Sequence, residues 1–342
     1  MTTTPALSAA IKALARSEEL PQDQLVSAFD TLLSGEAQPE QVGAFLMGLA
    51  VRGETSNELL AGAKVMREHA RTVSIEGPLL DTCGTGGLPW TSLNTSTASA
   101  IVIAAAGGRV AKHGNRSVPP KTGSADVLEA LGVELDITPR VFERCLEKAG
   151  VGFLFARSHH SAMRHVAPIR ASLGIRTIFN LLGPLSNPAN ASHQILGVYE
   201  ARWLRPMAET LLKLGVKRAW VVHGMDGIDE LSISGPSRVI EVKDGALAEF
   251  ELTPADAGLD SSPLSALEGG TPDQNSAAIR ELLEGRAGPF RDVVLLNAGA
   301  GLHILGLAET LPDGVDRARL AIDSGKAIRT LSLLADISHG RS

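Results

Sequence analysis

Cysteine is nearly absent: Cys83 and Cys145 are the two in 342 residues, and they lie far apart. A disulfide framework is therefore not expected, and a reducing, cytoplasmic compartment is. Aromatic residues make up 4% of the chain, too few for a platform that stacks the bases of single-stranded nucleic acid. Basic charge is not in excess either. The formal net charge is −6, with no basic tail and no block of like charge, whereas a general nucleic-acid binder carries a basic footprint. No apolar run is long enough to span a bilayer. Lys12 and Arg16 interrupt the apolar residues near the N-terminus, so a signal peptide is not expected. Familiar catalytic fingerprints are missing as well. There is no GxxxxGK[ST] run, and GTGGLP does not fit GxGxxG, which argues against a nucleoside-triphosphate motor and an ordinary nicotinamide dehydrogenase. No GxSxG elbow is present, so an esterase-like serine nucleophile is not expected.

What is present centres on Asp81–Val133. A glycine-rich loop, Gly84-Thr85-Gly86-Gly87, is followed by a hydroxyl- and amide-bearing run from Thr91 to Thr97. An apolar stretch, Ala98 to Ala106, reads as a buried helix, and the cluster Lys112-His113-Gly114-Asn115-Arg116-Ser117 comes next. Glycines let backbone N–H groups approach an anion, and Asn94, Ser96 and Thr97 sit where a helix begins, at the positive end of its dipole. Lys112 and Arg116 add formal positive charge. A tight connection capped by Asn94 or Ser96 would explain the first loop alone. Two anion-friendly clusters flanking one helix favour a small phosphorylated ligand.

Taken in order, residues 1–75 read as helices. Leu25, Val26, Phe29, Leu32 and Leu33 form a stripe at helical spacing, Ser34-Gly35 closes that segment, and Pro39 opens the next. Thr55 and Glu58 have the spacing of a capping box before a third helix. From about residue 78, short apolar segments alternate with helices: Leu79–Thr82, Arg109–Lys112, Gly152–Phe155, Gln194–Tyr199, Arg218–His223 and Asp292–Leu296. That alternation implies a parallel sheet covered by helices, with ligands gathered beyond the strand carboxyl ends. Arg157–Pro188 looks helical again and is expected to pack on the N-terminal helices. The expected fold is α/β: a small all-helical domain, 1–75 with about 160–188 packed on it, and a larger α/β domain, 76–159 and 189–342, whose mostly parallel sheet is flanked by helices. Phe250–Pro272 reads as a loop, and a helix is expected after Asn297-Ala298-Gly299.

The chemistry-bearing residues fall at the expected sheet edge. Asp229 and Glu230 follow the strand-like run AWVVHG, and adjacent carboxylates on a turn can share magnesium, which prefers oxygen ligands and bridges to phosphate. Alone, this run would read as a solvated acidic turn; its place after the fifth strand favours the metal. The pair is expected to be exposed. Arg170, in an apolar helix, offers a planar fork for a carboxylate or makes an internal salt bridge. His159, His160 and His165 lack the HExxH spacing and a cysteine pair, so packing or substrate contact is favoured over zinc. Cys83 reads as a small packed residue.

The pieces GTGG…SLNTSTASA, VAKHGNRSV, KTGSADVLEALGV, GFLFA, APIRASLGIRTIFNLLGPLSNP, HGMDGIDELS, LLNAGAGL and AIDSGKA resemble the anthranilate phosphoribosyltransferase family in content and order. The resemblance runs from about residue 20 to 335. It implies transfer of phosphoribose from phosphoribosyl pyrophosphate to the anthranilate amine, in tryptophan biosynthesis, with two Mg2+ ions per site and a homodimer formed through the helical domain. No nucleic-acid or membrane partner is implied. By the same resemblance Gly84, Gly87, Leu88, Ser92, Asn94, Thr95, Ser96 and Thr97 surround the donor, with Lys112, His113, Gly114, Asn115, Arg116, Ser117 and Ser124 facing them. Ser96 and Glu230 would hold one magnesium, and Asp229 and Glu230 the other. Gly84, Asn115 and Arg170 would contact anthranilate, with His113 and His160 along its channel. Two departures stand out. Leu88-Pro89 replaces the family's usual Asp-Gly, and Pro119-Pro120 replaces two serines, which removes N–H donors. A pyrimidine nucleoside phosphorylase shares the architecture but should carry a KxSxR-type loop at Lys112–Arg116. A non-catalytic nucleic-acid-binding relative would need a basic face.

Overall fold

The computed structural model describes residues 5–86, 90–117 and 122–341. Four helices come first: α1 (Pro5–Ala15), α2 (Gln22–Ser34), α3 (Pro39–Arg52) and α4 (Ser56–Glu68). Their boundaries follow local chemistry. Gly35 terminates α2 at φ +82°, a left-handed conformation that side chains rarely adopt, and Pro39 opens α3. At α4 the capping box forms in both directions, between Thr55 and Glu58. A cap of this kind contributes about 1 kcal/mol.

Strands and helices then alternate: β1 (Leu80–Gly84), α5 (Thr95–Ala105), β2 (Val110–Gly114), α6 (Ser124–Ala130), α7 (Pro139–Lys148) and β3 (Val151–Phe155). Short helices α8 (Ala156–His159), α9 (Ala167–Leu173) and α10 (Phe179–Leu185) interrupt the alternation. It resumes with β4 (His193–Gly197), α11 (Leu204–Lys213), β5 (Arg218–Gly224), β6 (Ser237–Lys243) and β7 (Ala246–Leu252). The chain ends in α12 (Pro272–Leu283), α13 (Pro289–Ile304), α14 (Leu311–Asp323) and α15 (Lys326–Ser338). Among the described residues seven strands form one sheet in the order β3-β2-β1-β4-β5-β6-β7. β1 to β5 are mutually parallel, and β6 and β7 are antiparallel.

Each face of the sheet has its own core. On β5, Trp220 and Val222 join the apolar cluster of α5, α13 and α14, whereas Ala219 and Val221 join the cluster of α11 and the N-terminal helices. Residues alternate because successive strand side chains point to opposite faces. α5 is apolar on all sides and is buried from Ala98 to Ala104, as the run of small and branched residues requires. Val166, Ile178, Phe179, Leu181, Leu182 and Leu185 share one cluster with Leu25, Phe29, Leu32 and Phe45.

Three local expectations need correction. Asp292–Leu296 is not a strand; it lies inside the 16-residue α13. Val293–Leu296 are fully buried, and a short run apolar on every side does not distinguish a strand from a core helix. Asn297-Ala298-Gly299 therefore sits within α13 rather than before a helix. The β6–β7 hairpin was not anticipated, and Phe250 to Leu252 are its last residues rather than loop. Asp244-Gly245, both at positive φ, make the two-residue turn between these strands. That dipeptide is a strong hairpin signal when strands flank it.

Candidate functional site

Strands β1, β2, β4 and β5 all end in glycine, at Gly84, Gly114, Gly197 and Gly224. None of these has positive φ; what they provide is space. A Cβ at Gly197 would lie 1.6 Å from the backbone oxygen of Asp229, and one at Gly84 would lie 2.2 Å from its Oδ2. At Gly224 it would meet Ile228, 2.4 Å away. The loop after β5 thus folds back over strand ends that carry no side chains. Gly224 N–H donates to the Ile228 carbonyl at 2.9 Å, and Gly227 takes φ +93° to make the turn. Asn297 of α13 then grips Leu231 from both sides, accepting from its N–H at 3.1 Å and donating to its carbonyl at 3.0 Å.

This loop carries the acid pair, and the expectation of an exposed pair is corrected. Asp226 is exposed and accepts from the Ser232 and Ser234 hydroxyls, while Asp229 and Glu230 are half-buried against the strand ends. Gly86 N–H donates to Asp229 Oδ2 at 2.7 Å, which ties the glycine loop to the pair. Burial, and then the neighbouring charge of Asp229, push the Glu230 carboxyl up to about 8. Burial also raises Asp229, against the opposing effects of the Gly86 N–H and the Arg176 charge. Two adjacent carboxylates held out of water call for a cation. Lys112 is close enough to act on Glu230 electrostatically, but it is itself buried, and desolvation lowers its pKa. Its ammonium donates to the Thr82 carbonyl at 2.5 Å and to Ser96 Oγ at 3.1 Å. It thus supports Ser96 from below rather than projecting into the loop.

A cavity of about 20 Å3, room for a single water, lies among Thr82, Ser96, Ser99, Asp229, Glu230 and Asn297. Carboxylate and hydroxyl oxygens are the donor set magnesium takes when phosphate oxygens and waters supply the rest, so these residues fit Mg2+. A larger cleft of about 640 Å3, which includes Arg109 and Lys148, opens at the opposite edge of the sheet. None of the residues expected at the site lines it.

The start of α5 faces this pair. No side chain caps the helix, because Asn94 is engaged elsewhere: its Nδ2 donates to the Thr122 carbonyl at 3.1 Å. The hydroxyls of Thr95, Thr97 and Ser99 are buried without a partner among the described residues. Beyond β2, Asn115 is exposed, and its carbonyl accepts from Ala125 N–H at 3.3 Å and from Ser124 Oγ at 3.4 Å. Gly114 is needed here too, since a Cβ would sit 2.2 Å from Ser124 Oγ. Arg116 is occupied within the protein. It pairs with Asp126 at 3.0 Å and with Glu129, and its guanidinium lies 5.6 Å from the Phe155 ring centre. Ser117 N–H reaches Asp126 Oδ2 at 3.2 Å. Gly87 and Leu88, like Pro89, Pro119 and Pro120, lie outside the described residues.

Arg170, on α9, has no carboxylate partner among the described residues, so the salt-bridge alternative is not realised. Its NH2 donates to Asn180 Oδ1 at 3.3 Å, and its guanidinium lies 5.5 Å from the Phe179 ring centre. Desolvation lowers its pKa. A half-buried cation without an anion is a ready receptor for a carboxylate. The His113 and His160 rings lie 5.1 Å apart, tilted 60° to one another, both buried, with Nε2 unpartnered on each among the described residues. Among the described residues no three His, Cys, Asp or Glu side chains gather as metal ligands; His159 instead donates from Nδ1 to the Arg71 carbonyl at 2.6 Å.

Burial, and then the charge of His159, hold His160 down to about 4, and burial holds His113 well below its usual value. Both folded values lie below the ordinary histidine range, so the unfolded chain binds protons first on acidification. Stability is full above about pH 6.5 and is lost as pH falls from there towards about 4. His113→Gln with His160→Gln is expected to flatten that loss, as read by melting temperature against pH; an unchanged slope would refute it.

Several site-forming residues were not singled out from sequence. Asp81 is fully buried and accepts from His113 N–H at 3.0 Å, which anchors β2. Arg176 stacks 3.9 Å from the Tyr199 ring centre and acts electrostatically on Asp229. Asn275 and Thr122 meet Asn94 from distant parts of the chain. Only the strand-terminal glycines carried a readable signal.

The glycosyl transferase family α/β-domain model matches residues 76–328, and the family's helical-bundle-domain model matches residues 8–70. The anthranilate phosphoribosyltransferase of Hyphomonas neptunium is 69% identical over 333 residues, which is 97% of this chain and 98% of that protein. That of Parvibaculum lavamentivorans is 53% identical, covering 97% of each chain. The anthranilate phosphoribosyltransferase structure from Thermus thermophilus superposes with a TM-score of 0.92 at 46% identity, covering 96% of this chain and 99% of that one. The Saccharomyces cerevisiae enzyme in complex with PRPP and Mg superposes with a TM-score of 0.90 at 26% identity, covering 99% of each. With the acid pair, the glycine edge and the uncapped α5 all in place, the chain belongs to the anthranilate phosphoribosyltransferase family.

Proposed function

We propose that the protein transfers the phosphoribosyl group of phosphoribosyl pyrophosphate to anthranilate, releasing pyrophosphate and N-(5-phosphoribosyl)anthranilate for tryptophan biosynthesis. The observation that carries this reading is the half-buried Asp229–Glu230 pair, held over side-chain-free strand ends and opposite an uncapped helix N-terminus. Asp229, Glu230 and Ser96 would hold magnesium. When bound, the metal neutralises negative charge that develops on the leaving pyrophosphate.

The chain's own residues do the rest. The amides at the start of α5 and the loop from Ser92 to Thr97 bind the donor's phosphates; Asn115, Ser117 and Ser124 face them. Arg170 takes the anthranilate carboxylate and, with Asn115, turns the amine towards the ribose carbon. That amine is uncharged at neutral pH, so no strong base is required, and much of the rate gain comes from orientation. His113 and His160, held neutral, line the acceptor's path without competing for its carboxylate.

We take residues 1–75 with about 160–188 as the helical unit, which the packing of Val166, Ile178, Phe179 and Leu182 with Leu25, Phe29 and Phe45 supports, and 76–159 with 189–342 as the α/β unit. We place a homodimer contact on α3, where Met47 and Val51 are 38% and 79% exposed and lie one turn apart on one face. A monomeric mass in solution would exclude it.

The test of function is direct. Purified protein with anthranilate, the donor and Mg2+ should consume anthranilate fluorescence, and omitting any of the three should stop it. Folded protein that leaves the fluorescence unchanged with all three present would refute the assignment.

A further inference from the structure

We infer that Asn275, near the start of α12, is a positioning residue for the phosphoribosyl donor, holding the loop before α5 and the residues before α6 in one hydrogen-bonded ring. The inference rests on the transferase reading and adds a residue remote in sequence from every donor-site motif.

Asn275 is fully buried, and its carboxamide uses both donors and its oxygen. Nδ2 donates to the Ser92 carbonyl at 3.0 Å and to Asn94 Oδ1 at 2.8 Å, and Oδ1 accepts from Gly270 N–H at 2.8 Å. Asn94 passes the connection on by donating to the Thr122 carbonyl, and Thr122 Oγ1 closes the ring by donating to the Gly270 carbonyl at 2.6 Å. The neighbouring Gly269 N–H also holds the Thr91 carbonyl, at 2.8 Å. Three segments distant in the chain are thus locked together immediately before the N-termini of α5 and α6. The capping box between Thr271 and Gln274 anchors the start of α12, so Asn275 is presented from a rigid element.

A primary amide is required because the position needs two donors and one acceptor. Aspartate keeps the bond from Gly270 but loses both donations. Alanine leaves three part-buried groups without this partner. Asn275 forms no hydrogen bond with Asp229, Glu230 or Arg170 among the described residues, so the acceptor and metal positions do not depend on it. Ordering the loop in advance lowers the cost of ordering it when the donor binds.

The experiment is steady-state kinetics of wild type, Asn275→Ala, Asn275→Asp and the milder Thr122→Val, varying each substrate at saturating levels of the other. The donor KM should rise roughly tenfold to a hundredfold in the Asn275 variants and less in Thr122→Val, with the anthranilate KM unchanged. Asn275→Ala should add less in an Asn94→Ala background than it does alone, because part of its hold on the loop runs through Asn94. Equal rises in both KM values, additive effects with Asn94→Ala, or unchanged KM values with a lowered melting temperature would each overturn the inference. If the Asn275 variants do not fold, Thr122→Val decides it by the same KM split. Wild type that fails to turn over rejects the transferase reading itself; active wild type whose variants show no split rejects this inference alone.

Discussion

Asp229→Asn combined with Glu230→Gln is expected to reduce turnover by at least about a thousandfold with the fold retained. The substitutions are nearly isosteric, and the new carboxamide at position 229 still offers an oxygen to Gly86 N–H. What disappears is the negative charge that recruits magnesium. The fold itself should gain. Glu230 is raised to about 8 by burial and by Asp229, so the folded chain binds a proton that the unfolded chain has released above the ordinary carboxylate range. For an acid raised in this way, the stability of the metal-free protein falls as pH rises from about 4.5 to about 8. The double variant should lack that decline and melt higher than wild type at pH 8 without metal. Magnesium should raise the melting temperature of wild type only. Full activity of the variant at limiting magnesium would sink the assignment; an identical melting profile in both proteins would show that the pair is not desolvated as described.

Arg170→Ala is expected to raise the anthranilate KM roughly tenfold to a hundredfold, with the donor KM little changed. Loss of a charge-assisted hydrogen bond typically costs about 1.5–3 kcal/mol. The guanidinium is half-buried and contacts the Asn180 amide and the Phe179 ring, and no carboxylate answers it among the described residues. Removing it should not lower the melting temperature much, because no anion is left unpaired. Arg170→Lys should recover little, since an ammonium lacks the planar fork. Parallel rises in both KM values would instead make Arg170 a support for α9 and α10.

Local chemistry wrote a large part of this protein into its sequence. The caps at Gly35, Pro39 and Thr55 act within a few residues, so they were readable without the fold. The first five strands were readable as short apolar segments set between helical stretches. The C-terminal edge was readable because every parallel strand presents its loop there. The family's motifs named the candidate site residues by number. Asp292–Leu296 was misread because an apolar run this short suits both a strand and a buried helix. The β6–β7 hairpin was passed over although Asp244-Gly245 announced it.

Tertiary structure alone decided the electrostatics and the long-range ties. Whether Asp229 and Glu230 are solvated or half-buried depends on how far the loop after β5 settles onto Gly84 and Gly197, which are far from it in sequence. Whether Lys112 points at a ligand or lies beneath Ser96 depends on the packing of β2 against β1 and α5. Arg116 and Arg170 look alike as isolated arginines, yet one is paired with Asp126 and Glu129 and the other has no anion among the described residues. Asn275 meets Asn94 across 181 positions of chain. Desolvation and hydrogen bonding depend on distances in space, and neither spacing nor periodicity encodes those for residues so far apart.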